Sequence, residues 1–144
     1  MLFGTAIGLT IKNIPLAIIV AFLSHYFLDL FPHIEYDISN AGNNNFSKAL
    51  SDRIKIAIDF ALGILTIWIL CGNNLLAYFY GACAIIPDGL AFLTNFSPNK
   101  ILASHNYLHI KKIHFLRENK KISVFWRILS QIVTVVASII MLKT

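Results

Sequence analysis

Three side chains stand at four-residue steps in the stretch Ile14 to Glu35, IPLAIIVAFLSHYFLDLFPHIE: His25, Asp29 and His33. Four residues is about one helical turn, so His25 and Asp29 stack on one face of a helix. Pro32 is placed to end that helix, which leaves His33 at the margin of the row. An imidazole and a carboxylate one turn apart can bind one metal ion or pass one proton. They can equally form a structural hydrogen-bonded pair. The row closes an apolar run long enough to enter a bilayer, where ionisable side chains are costly and point to function.

Further residues of the same chemistry lie downstream. Asp59 sits about one turn inside the apolar run that begins at Arg53, and Asp88 follows Pro87 near the end of the next run. His105 and His109 are one turn apart in a polar, basic stretch, and His114 follows five residues later. Each has a plainer reading. Asp59 can pair with Lys55, Asp88 can cap a short following helix, and the two histidines can be solvated.

The elements that must position these groups are read from hydropathy. The chain has 144 residues, 57% hydrophobic and 13% charged, with a mean hydropathy of +0.69. A soluble domain is about a quarter charged, so the composition favours a membrane protein over the plainer alternative, an unusually apolar soluble helical bundle. Length implies one domain, 1–144. Ile14–Phe31, Arg53–Leu70, Leu75–Phe92 and Ser123–Leu142 are transmembrane candidates. Met1–Ile11 is too short to cross about 30 Å of hydrocarbon and reads as a half-spanning or re-entrant helix. Its Gly4 and Gly8 give it a small-residue face for close packing. The architecture expected is all-α: an integral membrane helical bundle of about three full transmembrane helices plus a short N-terminal helix. Residues 36–52 form a polar loop in which Ser51 or Asp52 can cap the next helix, and 94–122 form a basic, histidine-containing loop. Gly72-Asn73-Asn74 is a tight turn of the helix-hairpin kind. Trp126 is an interfacial anchor. The N-terminus lacks a basic region and a cleavage site, so it reads as mature chain. Cys71 and Cys83 fall in or beside apolar runs, without metal spacing, and read as small core residues.

Charge sets the orientation. Net charge is +5, and seven of the twelve basic residues fall between Lys100 and Arg127 against the single Glu118. Such a block can touch nucleic acid or anionic headgroups. Beside long apolar runs it reads as a cytoplasmic loop obeying the positive-inside rule, with no specific nucleic acid as partner. The uncharged 72–74 turn then lies on the other side. His25, Asp29, Asp59, Asp88, His105 and His109 all fall at shallow depth on the cytoplasmic side. A set of carboxylates and imidazoles suits a divalent metal, zinc first, with manganese or iron as alternatives. Six or more ligands are enough for two metals clamping a phosphoester.

The segment AFLSHYFLDLFPHIEY, a second span with an aspartate, and GACAIIPDGL together resemble the small prokaryotic inner-membrane family of metal-dependent hydrolases. That family is distantly similar to zinc-dependent phospholipase C. The resemblance covers most of residues 1–115, and its most specific piece is Ser24-His25-x-x-x-Asp29 followed by Pro32-His33. It implies that His25 and Asp29 are metal ligands, with Asp88 a third and the His105/His109 region a source of more. Members often carry Thr-His near the N-terminus, where this chain reads Gly4-Thr5-Ala6.

The function expected is a metal-dependent hydrolase at the cytoplasmic face of the prokaryotic inner membrane. Its metal ligands would be His25, Asp29, Asp59, Asp88, His105 and His109. Membrane lipids are its surroundings, and an anionic or phosphorylated small molecule or lipid is its substrate. Two alternatives use other physics. In one, the same cluster is a proton or cation relay of a small transporter. In the other, the protein is a non-enzymatic scaffold that binds a partner through its basic loop.

Overall fold

The computed structural model describes residues 1–34, 40–42, 46–94, 96–97, 99–113 and 122–144. Glu35, His114 and the basic residues from 117 to 121 lie outside them. The described residues are helical, with no strand among them. The helices are α1 (Leu2–Thr10), α2 (Ile14–Asp29), α3 (Phe46–Cys71), α4 (Leu75–Leu93), α5 (Lys100–Tyr107) and α6 (Val124–Lys143), and α5 runs on into a π-helical turn, Leu108–Ile113. Three of them, α3, α4 and α6, are long and apolar enough to cross a membrane. At 16 residues α2 is shorter.

The short α1 is the centre of the bundle rather than an appendage. It packs against α2, α4 and α6, and α2 packs on α4. Close approach requires its small residues. A Cβ built on Gly4 would fall 2.3 Å from the Ala84 Cβ, and one on Gly8 only 2.5 Å from the Tyr80 ring. On the facing side, a Cβ on Gly81 would meet Thr5 Oγ1 at 2.8 Å. The Thr5 hydroxyl donates to the Ala77 carbonyl at 3.1 Å, a polar tie between α1 and α4. Ala6, Ala17, Ala21, Ala77 and Ala84 are buried with them, whereas Leu16, Ile19, Leu23, Phe27, Trp68, Ile69 and Val133 point outward. Small residues inside and large apolar residues outside reverse the arrangement of a water-soluble core.

Local signals explain the element ends. Asn13 caps α2 by accepting from Leu16 N at 3.0 Å, with Pro15 in the first turn, where a missing N–H costs nothing. Asn74 caps α4 in the same way, through Leu76 N. Gly72, with φ of 59°, makes the α3–α4 turn expected at 72–74. Two boundaries differ from expectation. Helix α3 begins at Phe46, so Ser51 and Asp52 lie inside it and cap nothing. Asp52 instead pairs with Lys55 at 2.9 Å and accepts from Asn40 N at 3.1 Å. Helix α2 ends at Asp29, before Pro32.

The extended residues after α2 expose carbonyls, and α6 answers them. Arg127 Nη1 donates to the His33 carbonyl at 3.3 Å, Gln131 Nε2 to that of Ile34 at 2.9 Å, and the Ser130 hydroxyl to that of Pro32.

Candidate metal centre

Four of the expected residues meet at one end of the bundle, drawn from three elements. His25 and Asp29 are one turn apart on α2, and their Nε2 and Oδ2 atoms are 3.1 Å apart. Asp88 comes from α4. Pro87 cannot donate to the carbonyl one turn back, yet the helix continues through it to Leu93, so Asp88 is an interior helix residue and not a cap. Its Oδ1 lies 3.2 Å from His25 Nε2. His109 comes from the π-helical turn, a widened geometry that recurs at functional sites. Its Nε2 is 3.3 Å from Asp88 Oδ1 and 3.9 Å from Asp29 Oδ2.

Imidazole and carboxylate therefore alternate around a small ring. Ligand atoms about 2.0–2.1 Å from a tetrahedral zinc ion are about 3.3–3.4 Å from one another. Three of the four contacts, 3.1, 3.2 and 3.3 Å, are close to that separation, and the fourth, 3.9 Å, is longer. The ligand atoms of His25, Asp29 and His109 all lie within 4.8 Å of one another, enough to hold a metal ion. His25 Nε2 is buried and makes no aligned hydrogen bond despite two carboxylates at close range. A buried ring nitrogen set between two carboxylates is placed as a metal ligand would be. The donor set fits a divalent metal; nitrogen and oxygen ligands alone do not choose among zinc, manganese and iron.

The site is closed on one side and open on the other. The side chains of His25 and Asp29 are each 11% exposed and that of His109 3%, whereas that of Asp88 is 64% exposed.

Aromatic packing fixes the imidazoles. His25 and His109 stack with ring centroids 5.3 Å apart, and His105 stacks on the other neighbour, His109, at 5.6 Å, each pair 15° from parallel. Tyr26 turns its ring edgewise to this column, with centroids 5.9, 5.7 and 6.2 Å from His25, His109 and His105. Its hydroxyl shares a hydrogen bond with His105 Nε2 at 2.8 Å. His105 thus supports the stack through Tyr26 and is not among the converging ligand atoms. Burial and the nearby charge of His109 and His25 push its imidazole below the ordinary histidine range. Tyr26 carried no signal in the sequence beyond its place beside His25.

Asp59, expected in the set, is exposed on α3, and among the described residues no hydrogen bond or ion pair joins it to the group. Its expected partner Lys55 is engaged by Asp52. His33 turns back to the Phe31 carbonyl, with Nδ1 at 2.8 Å. The two cysteines are free, Cys83 in the core and Cys71 half-buried.

No family model, no curated protein and no solved structure matches the chain.

Proposed function

We propose that the chain is a multi-pass protein of the prokaryotic inner membrane and a metal-dependent hydrolase that acts on a phosphoester or lipid-like substrate at the cytoplasmic face. The observation that carries the reading is the convergence of His25, Asp29, Asp88 and His109 from α2, α4 and the π-helical turn, with contacts of 3.1 to 3.9 Å. Its setting supports it. Three helices are long and apolar enough to cross a bilayer, large apolar side chains face outward, and the group lies at the end that bears the basic residues. The resemblance of the His25/Asp29 and Pro87-Asp88 segments to inner-membrane metal-dependent hydrolases points the same way.

In this reading His25, Asp29 and His109 hold the ion from the buried side and Asp88 completes the set from the open side. A divalent ion held there supplies Lewis acidity toward an ester oxygen and toward water. The protein's own groups set the geometry: Tyr26 and His105 hold the imidazole column, and exposed Asp88 is the member that an arriving substrate meets.

The test is metal content by mass spectrometry on protein purified in detergent, wild type beside Asp29→Asn. One or two ions per chain in the wild type, lost in the variant, are expected. Wild type that carries none, and takes up none from zinc, manganese or iron, overturns the reading.

One observation favours a second reading, a proton relay. His25 Nε2 lies 3.1 Å from Asp29 and 3.2 Å from Asp88, and His109 Nε2 lies 3.3 Å from Asp88, so imidazoles and carboxylates alternate, and such chains carry protons in membranes. Proton flux in liposomes, abolished by Asp29→Asn, supports it; absence of flux at every pH removes it.

A further inference from the structure

Helix α5 and its π-helical turn carry two faces of different character. Ile101, Ser104, Leu108 and Lys112 follow one another at steps of three and four residues, so they share one side of the helix. All four are exposed, Ile101 at 78% and Leu108 at 53%, with Tyr107 beside them at 59%. His109, the next residue after Leu108, turns the other way and is buried in the metal centre. A helix that faced water with its outer side would show polar residues there. This one shows an apolar row.

The place of the segment in the chain indicates what meets that row. It is bracketed by α4, which ends at Leu93, and by α6, which starts at Val124, and both are long and apolar enough to cross a membrane. A helix tied at both ends to such spans stays near the bilayer surface. Val124, Phe125 and Trp126 at the head of α6 are 59–65% exposed, and aromatic side chains in such a position sit at headgroup level. Charge agrees with the position. Lys100 and Lys112 are exposed at the two ends of the row, and Lys111 adds a third positive charge. The sequence has no acidic residue between Asp88 and Glu118 to oppose them. An apolar row with lysines at its margins is the pattern of a helix that lies in the bilayer surface. The apolar side chains enter the acyl boundary, and the lysine stems lie along it while their ammonium groups reach anionic headgroups.

We infer that α5 and its π-helical turn form an interfacial helix docked in the anionic headgroup layer of the bilayer. Ile101 and Leu108 sit in the acyl boundary, and Lys100 and Lys112 reach lipid phosphates. The same helix then meets lipid with one face and the metal centre with the other. This rests on the reading of α4 and α6 as membrane spans and needs no part of the hydrolase reading.

The test reads the position of the helix. Full-length Cys71→Ser protein takes a polarity-sensitive thiol dye at Ile101→Cys, at Leu108→Cys or, as a solvent control, at Asn73→Cys in the α3–α4 turn; Cys83 is buried from the reagent. Single copies are placed in nanodiscs of phosphatidylcholine, alone or mixed with phosphatidylglycerol. Dyes at 101 and 108 should be quenched by nitroxide-bearing lipid and shielded from acrylamide relative to position 73. Phosphatidylglycerol should increase that shielding by about fivefold, the effect of one lysine near an anionic surface. The double variant Lys100→Gln/Lys112→Gln should abolish the difference between the two lipid mixtures with melting temperature unchanged. Acrylamide that reaches 101 and 108 as readily as 73, or shielding equal in both mixtures, overturns the proposal. Shielding that requires two copies per disc also overturns it and assigns the face to a second chain. None of these readouts depends on a bound ion, so failure here is distinct from failure of the metal centre.

Discussion

Asp88 Oδ1 and His109 Nε2 share a hydrogen bond of 3.3 Å across 21 residues of chain. A ring nitrogen that holds a proton for a carboxylate cannot at the same time donate its lone pair to a metal. Binding of an ion therefore displaces a proton from this contact, and ions and protons compete for the same atoms.

The competition sets a pH dependence. Both imidazoles must be deprotonated at Nε2 to act as ligands, so metal retained after dialysis should be high near pH 8 and fall steadily toward pH 5. Metal content across a dialysis series measures it, and retention that does not change over that range contradicts ligation by His25 and His109.

Ligand and bystander should separate cleanly. His109→Ala removes a ligand that is 3% exposed at its side chain and should lower metal affinity by well over the ~10–100-fold typical of an outer-shell partner. Asp59→Asn should leave affinity unchanged, because no hydrogen bond or ion pair among the described residues joins its exposed side chain to the group. Competition with a chromogenic chelator measures both.

The Tyr26 hydroxyl holds the imidazole column through His105 at 2.8 Å. Tyr26→Phe removes that bond and should cost about 1 kcal/mol of stability. It should also weaken metal binding, by less than the ~10–100-fold seen when the lost partner bonds a ligand directly. Thermal melting in detergent and the chelator assay check the two effects separately.

Packing around α1 gives a sharper contrast. Gly4→Val and Gly81→Val place atoms where Ala84 and Thr5 already stand and should destabilise the bundle by about 1–3 kcal/mol or more. Gly89 has open space around its Cα, so Gly89→Ala should be neutral or stabilising by roughly 0.5–1 kcal/mol. Melting temperatures of the three variants decide this.

Much of the site was legible because spacing within one helix fixes relative direction. His25 and Asp29 share a face by their four-residue step, and Gly4 and Gly8 share one on α1, and the structure uses both pairs as expected. Depth was legible too: the ends of α2 and α4 could be matched by counting residues, and Asp88 does meet His25. Depth alone does not give direction around a helix axis. Asp59 is matched to the set by depth, yet among the described residues no hydrogen bond or ion pair joins it to the four that converge, and its expected cation Lys55 pairs with Asp52. His105 and His109, one turn apart, both stand in the expected ligand set. The change from α-helix to π-helical turn after Tyr107 separates their roles, and no residue pattern announced it. The central place of α1 was also hidden, since a short apolar segment reads the same at the edge of a bundle as at its middle.

The polar contacts of α6 bear on how the protein is made. The carbonyls of Pro32, His33 and Ile34, directly beyond the helix that carries His25 and Asp29, are met by Arg127, Ser130 and Gln131. Those donors belong to α6, more than 90 residues further along the chain. Until it arrives, the end of α2 stands in apolar surroundings with open carbonyls, which is costly. The end of α2 is thus settled only once α6 has been made, and a product cut short before Val124 would display an unsettled α2 terminus to the proteases that survey the membrane.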